Sequence, residues 1–370
     1  MKKFIPVNEP IFTGNEKKYL AECIDTGWVG SDGPFIKKFE DSLADIINRK
    51  YVSLVSNGSA ALEIAMKSLD IKKGDEVIMP SHTIISVPAA VTKLGALPVL
   101  IDSDATWNMD VNKIEEKITS NTKAIVAVHT YGFPVDMDKI LELAKKYKLF
   151  VVEDAAEMIG QKYKNRMCGS MGDISIFSFY PNKHVTTGEG GAILTNSLDI
   201  IQRCNYYKNL CFENPRFIHR ELGWNYRMSN IQAALGLAQI EKLDFHVKRK
   251  REIGSLYTDL LEGNNKFTLQ PKSISYAKNI WWVFGILLNK ETKINASEFM
   301  HKLTEMNIGS RPFFYPIHKQ PVYEKVNSFK NLAHNMSENL AEYGFYVPSG
   351  LSIKESEIEY VADCINSILD

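Results

Sequence analysis

Between about residue 50 and residue 200, short apolar runs alternate with amphipathic stretches of helical spacing, an order that strand–helix–strand units around one sheet accommodate. Tyr51–Val55, Glu76–Met79, Pro98–Ile101, Ala124–Val128 and Phe150–Asp154 are short and mostly apolar, and read as strands. Ala60–Leu69, Val87–Leu94 and Met137–Tyr147 carry the helical spacing between them. Ile174–Phe179 and Ala192–Thr195 add two strands, so a mostly parallel, seven-stranded sheet flanked by helices is expected.

After this stretch the texture changes. Ser229 to about Leu261 is a long helical pattern rich in Ala, Leu, Gln, Lys and Glu, with a break expected near Asp244. It is followed by a strand pattern at Trp281–Leu288, a helical one at Ala296–Met306 and a closing helix at Glu355–Leu369. A chain of 370 residues exceeds what one core usually supports. The division expected is a large α/β domain over residues 1–240, with an N-terminal arm, and a smaller C-terminal α+β domain over 241–370.

Lys plus Arg and Asp plus Glu balance at 44 each, so no net field draws the chain to nucleic acid or to an anionic membrane, and any anion must be bound locally. No apolar run approaches the roughly 20 residues of a spanning helix. The start, Met1-Lys2-Lys3-Phe4-Ile5-Pro6, lacks the apolar stretch of a signal peptide. Five scattered cysteines without a CxxC pair fit reduced thiols in a cytoplasmic protein and give no reason to expect a metal site.

Open α/β sheets bind ligands at the carboxyl ends of their strands. Three such ends carry chemistry. Ser56-Asn57-Gly58-Ser59 places small residues where a strand turns into a helix, which suits either a phosphate on the free N–H groups or an ordinary helix cap. Asp154 closes an apolar strand, where a charge needs either a cationic partner or a capping role. Lys183 follows a strand end and precedes Thr186-Thr187-Gly188-Glu189-Gly190-Gly191, whose glycines permit tight turns rather than an exposed helix. Most lysines are solvated surface, but an amine in such a setting can bond covalently to an aldehyde cofactor.

Four segments taken in order, Ser56–Leu62 (SNGSAAL), Glu153–Ala156 (EDAA), Ser178–Gly191 (SFYPNKHVTTGEGG) and Gly223–Ala234 (GWNYRMSNIQAA), resemble the DegT/StrS sugar aminotransferases, which are fold-type I pyridoxal 5′-phosphate enzymes. The resemblance covers nearly the whole chain. It implies that Lys183 holds the cofactor and shuttles the proton, that Asp154 pairs with the ring nitrogen, and that Glu157 lies near the ring hydroxyl, where the family commonly has Gln or His. Gly58, Ser59 and Ser178 would hold the phosphate, with Asn225 reaching it from a second subunit, so that a homodimer shares its active sites. Arg311, Tyr315 and His318 would approach the sugar nucleotide. The family usually has an aromatic residue near Ile84 on the ring face, which leaves Ile84 or His82 for that place. A dehydrating branch replaces the lysine by histidine, and the ungapped register of Ser178–Gly191 puts Lys183 rather than His184 there.

The activity implied is transfer of an amino group from L-glutamate to C4 of a nucleotide-linked 4-keto-6-deoxy sugar, GDP-4-keto-6-deoxymannose in first place. A dTDP-4-keto-6-deoxyglucose 4-aminotransferase, a 3-dehydratase and a non-catalytic regulator of the same fold are the alternatives. A bacterial surface polysaccharide, such as the O-antigen of lipopolysaccharide, is the expected destination.

Overall fold

The computed structural model describes residues 3–329 and 332–369. Two helices not anticipated above, α1 (Glu16–Thr26) and α2 (Pro34–Ile47), precede the sheet. The alternation then runs β1 (Tyr51–Val55), α3 (Gly58–Ser68), β2 (Glu76–Pro80), α4 (Ser86–Thr92), β3 (Leu97–Ile101), β4 (Thr122–Val128), α5 (Met137–Tyr147) and β5 (Phe150–Asp154). A hairpin of β6 (Lys162–Tyr163) and β7 (Arg166–Met167) leads to β8 (Ile174–Ser178), β9 (Gly191–Thr195) and α6 (Leu198–Lys208).

The large sheet has the order β1-β9-β8-β5-β4-β2-β3. Pairings among β8, β5, β4, β2 and β3 are parallel, whereas β9 runs antiparallel to both of its neighbours, β1 and β8. Strand residues alternate between two apolar layers, as the pleat requires. Leu54, Ile78, Ile125, Val151 and Phe177 face one core with α2 and α5, and Val55, Val77, Val126, Val152 and Ile176 face the other with α3 and α6.

The long helical pattern resolves into α7 (Asn230–Ile240) and α8 (Leu243–Leu261), broken at Glu241–Lys242, slightly ahead of Asp244. The first turn of α8 packs Leu243 and Val247 on the core of the large sheet, while Ile253, Tyr257 and Leu261 pack on a separate third core. That third core lies on a four-stranded sheet in the order β10 (Phe267–Leu269), β13 (Phe284–Leu288), β15 (Gly344–Val347) and β14 (Arg311–Pro312), covered by α9 (Ala296–Glu305) and α11 (Glu355–Leu369). A small hairpin, β11 (Ser273–Ile274) with β12 (Ala277–Lys278), precedes β13, and α10 (Asn335–Tyr343) precedes β15.

β13 begins at Phe284, three residues later than the apolar run suggests. Trp281 has φ +46°, and the N–H groups of Ile280 and Trp282 donate to the carbonyls of Gly132 and Tyr131 rather than to a strand. This segment joins the two sheets. The N-terminal arm does the same: Ile5 forms a parallel bridge with Ile308, the Ser349 N–H donates to the Val7 carbonyl at 3.2 Å, and Asn8 Nδ2 donates to the Pro181 carbonyl at 3.0 Å. Ile5 packs into the third core.

Candidate active site

The carboxyl ends of β1, β4, β5 and β8 open into a cavity of about 630 Å³, closed on its far side by Trp282, Phe314 and Tyr346. Its first corner is the start of α3. Asn57 caps the helix by accepting the Ala60 N–H at 2.8 Å, which leaves the N–H groups of Gly58 and Ser59 turned to the cavity end of the helix dipole. Glycine suits position 58 because a Cβ there would stand 3.0 Å from the Ser178 Cβ, a close contact that would press on that side chain. The Ser59 and Ser86 hydroxyls lie 2.7 Å apart, and that of Ser178 makes no hydrogen bond among the described residues.

Asp154 ends β5 almost fully buried, accepting the Ala156 N–H at 3.1 Å. Burial raises its pKa, against the pull of that N–H and of the positive charge on Lys183. Lys183 sits on the turn after β8, where its N–H donates to the Tyr180 carbonyl at 2.9 Å. Its amine lies over the Trp282 ring, 3.8 Å from the centroid, and makes no hydrogen bond or ion pair among the described residues. Burial lowers its pKa, while Glu157 and Asp154 act in the opposite direction. Glu157 lines the same cavity and accepts the Tyr131 N–H at 2.7 Å. Burial pushes this carboxyl up to about 8, although Lys183 pulls it down.

A buried carboxylate with no cation in contact, an uncommitted amine and the open start of a helix beside free hydroxyls are what a phosphorylated pyridine aldehyde requires. The donor set therefore fits pyridoxal phosphate: Asp154 for the ring nitrogen, Gly58, Ser59 and Ser178 for the phosphate, and Lys183 for the covalent attachment. His184, next in sequence, is buried outside the cavity lining with Nδ1 3.3 Å from the Ile159 carbonyl, so Lys183 is the residue of the two that faces the site.

Most of the remaining expected positions lie outside the lining that this one chain forms. Asn225, expected to act from a second subunit, is exposed and outside this lining, and its side-chain oxygen accepts from Arg227 Nε at 3.1 Å. Arg311 and Tyr315 are exposed and outside the lining, although Arg311 stands opposite Tyr346 in the β14–β15 register. Both nitrogens of His318 are engaged, Nδ1 with the Ser81 hydroxyl at 2.7 Å and Nε2 with Glu338 at 3.0 Å, so the ring ties the end of β2 to α10 rather than facing the cavity. Of the two residues expected at the ring face, Ile84 lines the cavity and His82 does not: it is fully buried among Tyr131, Phe313 and Phe314.

Sequence reasoning missed His129, Asn182, Trp282 and Tyr346, which also line the cavity. The Trp282 indole N–H donates to the Asn182 carbonyl at 2.9 Å, fixing the peptide that carries Lys183. His129 follows β4 and meets Glu153 at 3.1 Å while its Nδ1 accepts the Val135 N–H. With Cys168 these two are the one group of metal-ligand type found among the described residues. Glu153, however, already accepts the N–H groups of Gly169, Met171 and Gly172, so the pair is an ordering device beneath Asp154. A tandem tryptophan opening an apolar run was the available signal for Trp282.

A family model for the DegT/DnrJ/EryC1/StrS aminotransferases matches residues 10–366. The chain is 42% identical to a GDP-perosamine synthase of Escherichia coli O157:H7, over 98% of each chain. It is 35% identical to a dTDP-3-amino-3,6-dideoxy-alpha-D-galactopyranose transaminase of Aneurinibacillus thermoaerophilus, over 94% of this chain and 93% of that one. The fold superposes with a TM-score of 0.93 on Helicobacter pylori PseC, an aminotransferase involved in the biosynthesis of pseudoaminic acid, at 22% identity and 99% coverage of both chains.

Proposed function

The chain belongs to the DegT/DnrJ/EryC1/StrS aminotransferase family, and from that premise we propose that it moves the amino group of L-glutamate onto C4 of GDP-4-keto-6-deoxymannose to give GDP-perosamine. It is a pyridoxal-phosphate-dependent sugar aminotransferase. The observation that carries the choice of substrate is the full-length likeness, at 42% identity, to a GDP-perosamine synthase.

Pyridoxal phosphate supplies an electron sink that no side chain provides. The chain supplies the rest. Asp154, kept almost dry, would hold the ring nitrogen in its protonated form. Lys183 Nζ would carry the proton that the reaction moves, and its place over Trp282 keeps the amine inside the cavity rather than in solvent. The start of α3 would hold the phosphate.

The cavity holds one cation, Lys183, against three carboxylates, Asp154, Glu157 and Glu189. Glutamate and a nucleoside diphosphate are both anions, so further positive charge must come from outside this lining. Arg220 and Arg227 stand on the segment that carries Asn225, beside Phe217 and Leu222, which are 74% and 91% exposed. Apolar side chains so exposed favour a covering surface. A homodimer in which this segment, with Asn225, completes the cavity of a second copy satisfies both demands.

Among the described residues no helix is long and apolar enough to cross a membrane, and all five cysteines are free. Both features suit the cytoplasm, where nucleotide sugars for surface glycans are made. The likeness to a dTDP-sugar transaminase keeps a dTDP-4-keto-6-deoxyglucose substrate as the second reading. Incubation with glutamate and each nucleotide sugar, read by mass spectrometry, decides between them. Turnover of neither substrate sinks both readings, and a product that has lost oxygen at C3 without gaining nitrogen indicates the dehydratase branch.

A further inference from the structure

Glu157 is held in place at a conformational cost. Tyr131 has φ +62°, which a bulky residue seldom adopts, and this turn aims its N–H at one Glu157 oxygen, 2.7 Å away. The same residue is braced on three further sides: its carbonyl accepts the Trp282 N–H, its hydroxyl accepts the Phe314 N–H at 3.0 Å, and its ring stacks on both of those side chains. The other Glu157 oxygen receives no hydrogen bond among the described residues, and the carboxyl lines the cavity with Lys183. Charged and titratable groups act on it from every side: Lys183 from the loop after β8, Asp154 from the end of β5, Tyr131 from the link after β4 and Tyr346 from β15.

Two of the three carboxyls that line this cavity, Asp154 and Glu157, are buried beside the amine, whereas Glu189 is exposed, and a site of low polarity holds two negative charges against one positive charge only at high cost. Asp154 accepts a backbone N–H and stands ready for a cationic ring nitrogen, which leaves Glu157 as the carboxyl free to hold a proton.

We propose that Glu157 is the proton-holding partner of Lys183, taking up the proton that the lysine ammonium must shed before its amine can act. Once the amine leaves the Trp282 face and comes within hydrogen-bond reach of the free Glu157 oxygen, an N–H bond of the ammonium breaks with its electron pair returning to Nζ, and an O–H bond forms on that oxygen. The charge of the cavity is unchanged, because one cationic and one anionic group have become two neutral ones. The two groups shift in opposite directions, lysine down and glutamate up, because burial disfavours the charged form of each. What Lys183 does with its amine rests on the aminotransferase reading; Glu157 acts through it, as a positioning residue.

The test is competitive acetylation of Lys183 by acetic anhydride in the full chain freed of cofactor, read by mass spectrometry from pH 6 to pH 11 with exposed Lys354 as internal reference. Circular dichroism checks that each variant is folded. Glu157→Gln keeps an oxygen for the Tyr131 N–H but removes the anion, so the labelling midpoint of Lys183 should fall by roughly one pH unit or more. Glu157→Asp should restore it. A midpoint that does not move in Glu157→Gln overturns the proposal, as does a Lys183 that stays unlabelled throughout. Failure of the aminotransferase reading shows separately, as a visible cofactor band that glutamate does not bleach, and leaves the labelling result standing.

Discussion

On the wall of the cavity contributed by the large sheet, each chemical group stands at or just past a strand end: Gly58 and Ser59 after β1, Asp154 on β5, Ser178 and Lys183 on and after β8. On the opposite wall, Trp282, Phe314 and Tyr346 stand on or beside the four-stranded sheet and are held by contacts that cross between the sheets. The first wall is fixed by backbone that hydrogen bonds to itself, and the second by aromatic packing around Tyr131. On the first wall the contacts that fix the site belong to the main chain, whereas on the second they are made one side chain at a time.

The sharpest way to break this contrast is Lys183→Ala. The purified variant should lack the visible absorbance of a lysine-bound cofactor and should show no amino transfer above background; retention of the band would mean that the first wall has been misassigned. Asp154→Asn leaves the shape unchanged but removes the charge, and kcat should fall by about 10³-fold with the protein still folded. Trp282→Ala probes the second wall. Its side chain is 4% exposed, so truncation should cost ~3 kcal/mol in urea unfolding, with Trp282→Phe much milder. An activity loss in Trp282→Ala no greater than that of the phenylalanine variant would show that the aromatic wall serves stability alone.

The smallest expected effect lies where the two walls are joined. Lys250 on α8 is buried and donates to the Ser349 carbonyl at 2.6 Å, and burial lowers its pKa to about 7 from the ordinary 10.5. Between those pH values the unfolded chain binds the proton and the folded protein does not, so this residue's contribution to stability rises with pH across the window. Lys250→Met should therefore be more stable than the parent at pH 6, by ~1 kcal/mol, with the advantage shrinking towards pH 10 in urea titrations. An advantage independent of pH would show that the amine stays charged at the joint.

The same contrast explains what was legible in the sequence. Strand ends advertise themselves locally: a short, mostly apolar run followed by glycine, serine or a carboxylate is enough to place β1, β5 and β8 with their functional residues. The aromatic wall has no such local mark. Trp282 merges with the apolar run that follows it, and the positive φ of Trp281 that separates them has no signature in residue type. His318 and His82 carried chemistry only by residue type: the first is taken up by Ser81 and Glu338, distant in sequence, and the second by an aromatic cluster of Tyr131, Phe313 and Phe314, assembled from two segments. Helices α1 and α2 went unread, and so did the partners of the N-terminal arm, which lie some 300 residues further along the chain.

That arm bears on how the protein is made. Asn8 steadies the loop carrying Lys183 through Pro181, but the arm is itself held by Ile308 and Ser349. A ribosome synthesises the arm early and its anchors late, so the brace that runs from Ile308 and Ser349 through the arm to Pro181 is complete only in an almost finished chain.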